Sequence, residues 1–223
     1  MRRAGVGAFA VVAVLALAAL LVTTIADDRR LAFTLGVQPA QPVDVLEPGE
    51  QACQAPIDVP ADADIVQFPV RTEGGAGPPL VVSVRDVAAR STLGRARVAG
   101  GYPDGSTVAA RVGGLEEGRR VAVCVRDAGA SVLALFGGPA QAARTSDLFV
   151  DGRPANADMT LVFERAEAKS MASLVPDAIE RAALFTAGWV SPVLLWVLGA
   201  AFLLGVPLLL ALALARAGED PAR

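Results

Sequence analysis

The sequence contains no histidine. This excludes Ser-His-Asp and Cys-His catalysis and removes the common nitrogen ligand of zinc sites. Lys169 is the only lysine, so arginine carries nearly all the positive charge. The net charge of −3 gives nucleic-acid binding no support. Aromatic residues make up only 5% of the chain, with one tyrosine, Tyr102, and two tryptophans, Trp189 and Trp196. No GxSxG, P-loop or helix-opening GxGxxG is present. GGYPDG and VGGLEEGRR lack the lysine and the helix that phosphate cradles need, so they read as turns. PADADI has too few carboxylates for a calcium loop. No cofactor and no metal is expected, and no catalytic residue is assigned.

Apolar residues are abundant, at 53%, and the surplus lies at the two ends. Gly5 to Ala26 is uncharged over about 22 residues, enough for a helix to cross a bilayer core of roughly 30 Å. Gly188 to Ala215 is a second, longer uncharged run. Ser191-Pro192 reads as an N-cap followed by proline in the first helical position, and Pro207 lies inside the run. Trp189 and Trp196 suit a membrane interface. Neither run carries an ionisable residue, which argues against an ion or proton pathway. The first run also competes as a cleaved signal peptide ending near Thr24 and Ala26, but its length favours a retained anchor. Arg2 and Arg3 on one flank are nearly balanced by Arg29 and Arg30 on the other, so charge alone leaves the orientation tied.

The two cysteines break that tie. Cys53 lies in LEPGEQACQAPI and Cys124 in RRVAVCVRD. They form no CxxC motif, and without histidine no Cys/His zinc site can be built. Buried free thiols are one remaining reading. A disulfide is favoured, because a membrane-targeted domain faces an oxidising exterior. It closes a loop that the chain-entropy model values at about 4 kcal/mol, an upper figure that ignores native strain. In RRVAVCVRD, Val121, Val123 and Val125 point to one side and Cys124 to the other. The segment QACQAPI is therefore expected either to cross the face of a sheet or to pair with a neighbouring strand.

The middle of the chain reads as strand after strand. Candidates are 31–37, 43–46, 51–57, 63–70, 79–86, 106–112, 119–127, 130–137, 146–150 and 158–166, separated by Gly-, Pro- and Asp-rich turns. Residues 126–130 read as a hairpin turn joining adjacent strands. The predicted fold is mainly β: a single extracytoplasmic β-sandwich, jelly-roll or immunoglobulin-like, flanked by two transmembrane helices. A closed barrel is the runner-up. The expected divisions are 1–4 cytoplasmic, 5–26 first span, 27–166 sandwich, 167–187 juxtamembrane helix, 188–215 second span and 216–223 cytoplasmic tail. Pro176 suits the first turn of the juxtamembrane helix. Both termini then lie in the cytoplasm and the central domain lies outside the plasma membrane.

Candidate chemistry is thin. Glu116 and Glu117 share a turn and Asp62 and Asp64 precede a strand, a pattern of solvated carboxylates more than of a glycosidase pair. Tyr102, with Asp104 in the same GGYPDGS loop, is the candidate ligand contact. Phe33, Phe68, Phe136, Phe149 and Phe163 lie in strand-like runs and are expected in the core.

The series LEPGEQACQAPI, PPLVVSVRD, GGYPDGS and GRRVAVCVRDAG between two apolar runs resembles two-span envelope proteins of high-GC Gram-positive bacteria. The resemblance covers most of the central domain. It implies an extracytoplasmic β-sandwich, found in some cases alongside cell-surface polysaccharide or glycosyltransferase systems. Its motifs are a cysteine pair and turn residues, so it carries over no catalytic residue. The expected function is a membrane-anchored binding or assembly module. Its partners would be the bilayer, and either another membrane protein or an envelope glycan. A carboxylate-based glycan hydrolase is the alternative.

Overall fold

The computed structural model describes residues 2–140, 146–184, 186 and 190–217. Gly188 and Trp189, at the start of the expected second span, and residues 218–223 of the tail lie outside them. The chain divides into a helical unit, Met1–Arg29 with Lys169–Arg223, and a β unit, Arg30–Ala168.

The β unit contains two sheets, as in a jelly-roll or immunoglobulin-like sandwich. The first has seven strands. They are β1 (Asp28–Thr34), β2 (Gln41–Leu46), β4 (Ala63–Arg71), β7 (Thr107–Leu115), β9 (Leu133–Pro139), β12 (Ala157–Met159) and β13 (Val162–Ser170). The second has six, in the order β11 (Arg153–Pro154), β10 (Asp147–Val150), β3 (Gln51–Asp58), β8 (Arg120–Asp127), β5 (Leu80–Asp86) and β6 (Thr92–Val98).

Alternation along the strands builds one core. Leu80, Val82 and Val84 of β5 and Val121, Val123 and Val125 of β8 are buried from the second sheet. Val66, Phe68 and Val70 of β4, Leu133 and Leu135 of β9 and Phe163 of β13 are buried from the first. Phe33 stacks on Phe163 with ring centroids 4.2 Å apart. A polar cluster centred on Gln54 joins this interior. Gln54 of β3 is fully buried, and its Nε2 donates to Asp158 Oδ1 at 2.8 Å and to Ser146 Oγ at 3.2 Å. Its Oε1 accepts the Met159 backbone N–H at 2.9 Å, so one amide links β3 of one sheet to β12 of the other.

Several expectations are corrected. Residues 126–130 do not form a hairpin between adjacent strands: β8 and β9 belong to different sheets, and the turn carries the chain across the core. β6 was not expected, because Gly94, Arg95 and Arg97 interrupt its apolar alternation at the sheet edge. The stretch 158–166 holds two strands, broken at Thr160 and Leu161. Phe149 faces outward from β10, beside Cys53, and is half-buried outside the core.

In the helical unit, α1 (Arg2–Ala26), α2 (Met171–Leu184) and α3 (Pro192–Ala217) pack on one another. Ser191 caps α3, its Oγ accepting the Leu194 N–H at 3.3 Å, with Pro192 in the first position. The stretch Pro192–Ala213 has a mean hydropathy of 2.6 and the length to cross a membrane. Phe202 and Leu204 stand out from it at 70% and 66% exposure, as lipid-facing side chains do. The apolar run described in α1, Val14–Ala26, is shorter. The side chains of residues 5–10, at the start of the expected first span, lie outside the described set. Glu167 to Ser170 belong to β13 and α2 begins only at Met171, so Pro176 falls in the second turn instead of the first.

Candidate functional site

Cys53 and Cys124 stand directly opposite each other in the antiparallel β3–β8 ladder, with Cα atoms 4.0 Å apart, and form a disulfide. Of the two arrangements expected, the structure shows pairing with a neighbouring strand. The register slips just beyond, between Gln54 and Ile57, where Pro56 has no N–H to give to the ladder. Because Val123 and Val125 point inward, the disulfide lies on the outer face of the second sheet.

That face carries two depressions. The first, of about 600 Å³, is lined by Gln51, Cys53, Arg126, Phe149 and Asp151, with Gly49 and Gly152 at its rim. The second, of about 360 Å³, is lined by Gln51, Ser83, Arg85, Thr92, Arg95 and Arg126 around Val81. Gln51 and Arg126 line both, so the depressions join into one groove running across the strands from β10 to β6. Register explains the composition. Phe149, Cys53, Cys124, Ser83 and Arg95 fall in one row, each opposite the next. Gln51, Arg126, Val81 and Arg97 fall in the adjacent row. The floor is thus a disulfide, an aromatic edge and small residues, and the walls are amide, hydroxyl and guanidinium groups. Gln51 Nε2 reaches Cys53 Sγ at 2.8 Å, and Arg126 Nε donates to the Gly49 carbonyl at 3.2 Å. These contacts hold both side chains along the groove.

Tyr102 and Asp104 lie elsewhere, where the loops 72–79, 100–105 and 127–129 meet. The Tyr102 ring covers Gly77 so closely that a Cβ there would overlap it. Backbone bonds lock the contact: Gly77 N–H donates to the Tyr102 carbonyl and Gly101 N–H to the Gly77 carbonyl, each at 2.8 Å. Burial, and then the charge of Asp127, push the Tyr102 hydroxyl above its ordinary value. Asp104 Oδ1 accepts the Thr72 N–H at 2.7 Å, and that bond is the main reason its carboxyl sits below the usual range. The two residues therefore tie loops together at this end, and neither lines the groove.

Three of the four carboxylates considered for hydrolysis are also engaged. Glu116 pairs with Arg119, Asp62 accepts the Glu117 N–H at 2.9 Å, and Asp64 accepts the Ala166 N–H at 2.8 Å. Asp44, Glu50 and Asp151 line an adjoining hollow of about 360 Å³, which shares Asp151 with the first depression. Each of them already accepts a backbone N–H, from Val45, Glu47 and Gln51 respectively. Among the described residues, no group of three or more Cys, Asp or Glu side chains can hold a metal ion.

Sequence reasoning missed the groove. The alternation of RRVAVCVRD and PLVVSVRD already placed Arg126 with Cys124 and Arg85 with Ser83. The pairing of β6 and β10 onto those strands was the missing information.

No protein-family model and no curated protein matches the chain. Among solved structures, CsCBM6-3 from Clostridium stercorarium, in complex with cellobiose, is similar over 63% of this chain and 94% of its own. The identity is 17% and the TM-score 0.33, and at that level the likeness assigns neither a ligand nor a residue to the groove.

Proposed function

We propose that this protein is a non-enzymatic binding module, held at the plasma membrane by α3 and by α1 as a retained anchor, with the β unit outside the cell and both termini in the cytoplasm. The disulfide supports the sidedness, since such bonds persist in oxidising compartments. The groove over that disulfide is the observation that carries the binding role. It is open and elongated, and polar groups border an apolar floor, which suits a chain-like ligand more than an enclosed small molecule. An envelope glycan is the ligand class this shape fits best. It also accords with the resemblance of the sequence to envelope proteins that accompany polysaccharide systems. Tyr102 and Asp104 would act on binding only indirectly, by fixing the loops at one end of the sandwich.

The test is binding of the full chain, in neutral detergent, to immobilised polysaccharides. Gln51→Ala with Arg126→Ala should weaken retention at least tenfold, and Tyr102→Phe should leave it within twofold. Retention unchanged by the groove variants, or no retention on any polysaccharide, would overturn the proposal.

A further inference from the structure

We infer that the ligand of this groove is an anionic glycan, its carboxylates or phosphates held by an arginine cluster on β5, β6 and β8; the inference rests on the binding role proposed above. Arg85, Arg95, Arg97 and Arg126 are all exposed and all lie on the outer face of the second sheet. Arg97 and Arg126 flank Val81 from its two sides, which sets their backbones roughly 10 Å apart. Arg95 follows two residues from Arg97, roughly 7 Å along the same strand. Arg85 follows two residues after Ser83, which is opposite Arg95.

Placement, not mere abundance of arginine, makes the case. Some arginines elsewhere are paired, Arg29 with Asp27, Arg119 with Asp86 and Glu116, and Arg120 with Asp58, while Arg90, Arg111 and Arg153 stand singly without an ion pair among the described residues. Arg165 Nη1 donates to the Leu31 carbonyl at 2.7 Å. Among the described residues, Arg85, Arg95, Arg97 and Arg126 form no ion pair, although the chain as a whole is acidic, at −3. Like charges set side by side on one sheet face repel each other. An oxyanion chain laid across them relieves that repulsion and forms charge-assisted, bidentate bonds that sugar hydroxyls alone cannot give. Asp151 is the only acidic residue lining the two depressions. It lies at the β10 end, in the depression it shares with Arg126 but outside the one lined by Arg85 and Arg95, with Oδ1 accepting the Gln51 N–H at 3.1 Å.

The groove also favours a glycan over lipid headgroups as the source of the charge. Ser83 sits among the arginines, with Gln51 and Thr92 at the margins of the same recess, and these groups can take sugar hydroxyls. A headgroup layer, by contrast, meets a flat or projecting surface.

The experiment uses the full chain in neutral detergent, with dextran, dextran phosphate and polygalacturonate as probes and short-chain phosphatidylglycerol as competitor. Dextran phosphate or polygalacturonate should bind at least tenfold tighter than dextran, with affinity falling as salt rises. Arg85→Gln with Arg95→Gln should remove most of that preference, and the Lys pair at the same positions should restore part of it. The circular dichroism and melting of each variant check its fold. Dextran binding as well as either polyanion, with the Gln pair silent, overturns the anionic ligand but leaves a glycan-binding groove standing. Binding of none of the three polymers overturns both readings. Displacement of the polyanion by phosphatidylglycerol at concentrations below those at which it binds overturns the glycan in favour of a lipid.

Discussion

The charge of Asp127 helps push the Tyr102 phenol above its ordinary value, with the Tyr102 ring packed against Gly77. Asp127 is fully buried. Its Oδ1 accepts the Gly129 N–H at 2.7 Å, while its Oδ2 and the Tyr102 hydroxyl have no hydrogen-bond partner among the described residues. Burial outweighs the Gly129 bond and raises Asp127 above its ordinary value of 3.8. The folded state therefore holds this proton more tightly than the unfolded chain does. Stability contributed here is full below the unfolded value and is lost as pH rises through the folded one. Asp127→Asn keeps the acceptor for Gly129 and removes the buried charge. It should raise the melting temperature at pH 7 and show a shrinking advantage as pH falls toward 4. Equal shifts at both pH values would show that the carboxylate is not the cause. Asp104 has the opposite sign: its depressed value contributes stability above 3.8 that is lost in acid, so Asp104→Asn should flatten the acid limb.

Because Tyr102 is the only tyrosine, the phenolate absorbance reports on this one ring. In the wild type it should titrate above 10.0, the ordinary value. Gly77→Ala places a methyl where the ring lies, so the ring must swing out. The variant should titrate close to the ordinary value and melt at lower temperature. Asp127→Asn should lower the midpoint by a smaller amount, since burial is the larger cause. A Gly77→Ala protein with an unmoved titration would refute the packing.

The bond between Cys53 and Cys124 closes a sequence separation of 71 residues, although the two strands already share a hydrogen-bonded ladder. Replacing both cysteines with alanine should leave the ladder in place and cost about 2–4 kcal/mol, mostly through a less restricted unfolded chain. Denaturation of the detergent-solubilised protein measures this as a lower midpoint with an equal or steeper slope, since the unfolded chain without the cross-link exposes more surface. In intact cells neither thiol should react with a maleimide before reduction. Ready labelling would remove the argument for an external domain.

The sequence made the sandwich legible where alternation was clean. In β5 and β8 every second residue is Val or Leu, and those positions are buried. It failed at β6, where Gly94 and two arginines hide the period because an edge strand buries little. It failed again at residues 126–130, since the local signature of a tight turn does not reveal whether the next strand pairs or changes sheet. The disulfide was legible because only one pairing of two cysteines exists. The groove was not, because its arginines come from three strands whose register only the folded sheet supplies. Phe149 was misplaced for a related reason: SDLFV is too short to distinguish its inward face from its outward one.

Gln54 offers the sharpest test of how the two sheets are held together. A buried amide is tolerated because its oxygen takes the Met159 N–H and its nitrogen serves Asp158 and Ser146. Gln54→Leu fills a similar volume but takes the amide acceptor from the Met159 N–H, in a residue with no exposure to water. Loss of a buried partner costs about 1–3 kcal/mol per group left unpaired. Gln54→Glu is more informative. It keeps the acceptor for Met159 but replaces the donor by an oxygen facing Asp158 Oδ1, which sits 2.8 Å from the present Nε2. Two carboxylates at that distance cannot both ionise, so the pair must hold a proton in the folded state. The pair's upper folded value then lies above the unfolded one of about 4.3, and stability must fall as pH rises between the two. The Glu variant should approach wild-type stability near pH 4 and lose several degrees of melting temperature by pH 7, while the Leu variant loses a similar amount at both. A Glu variant insensitive to pH would show that Gln54 and Asp158 do not meet across the core, and that the sheets pack in a different register from the one described.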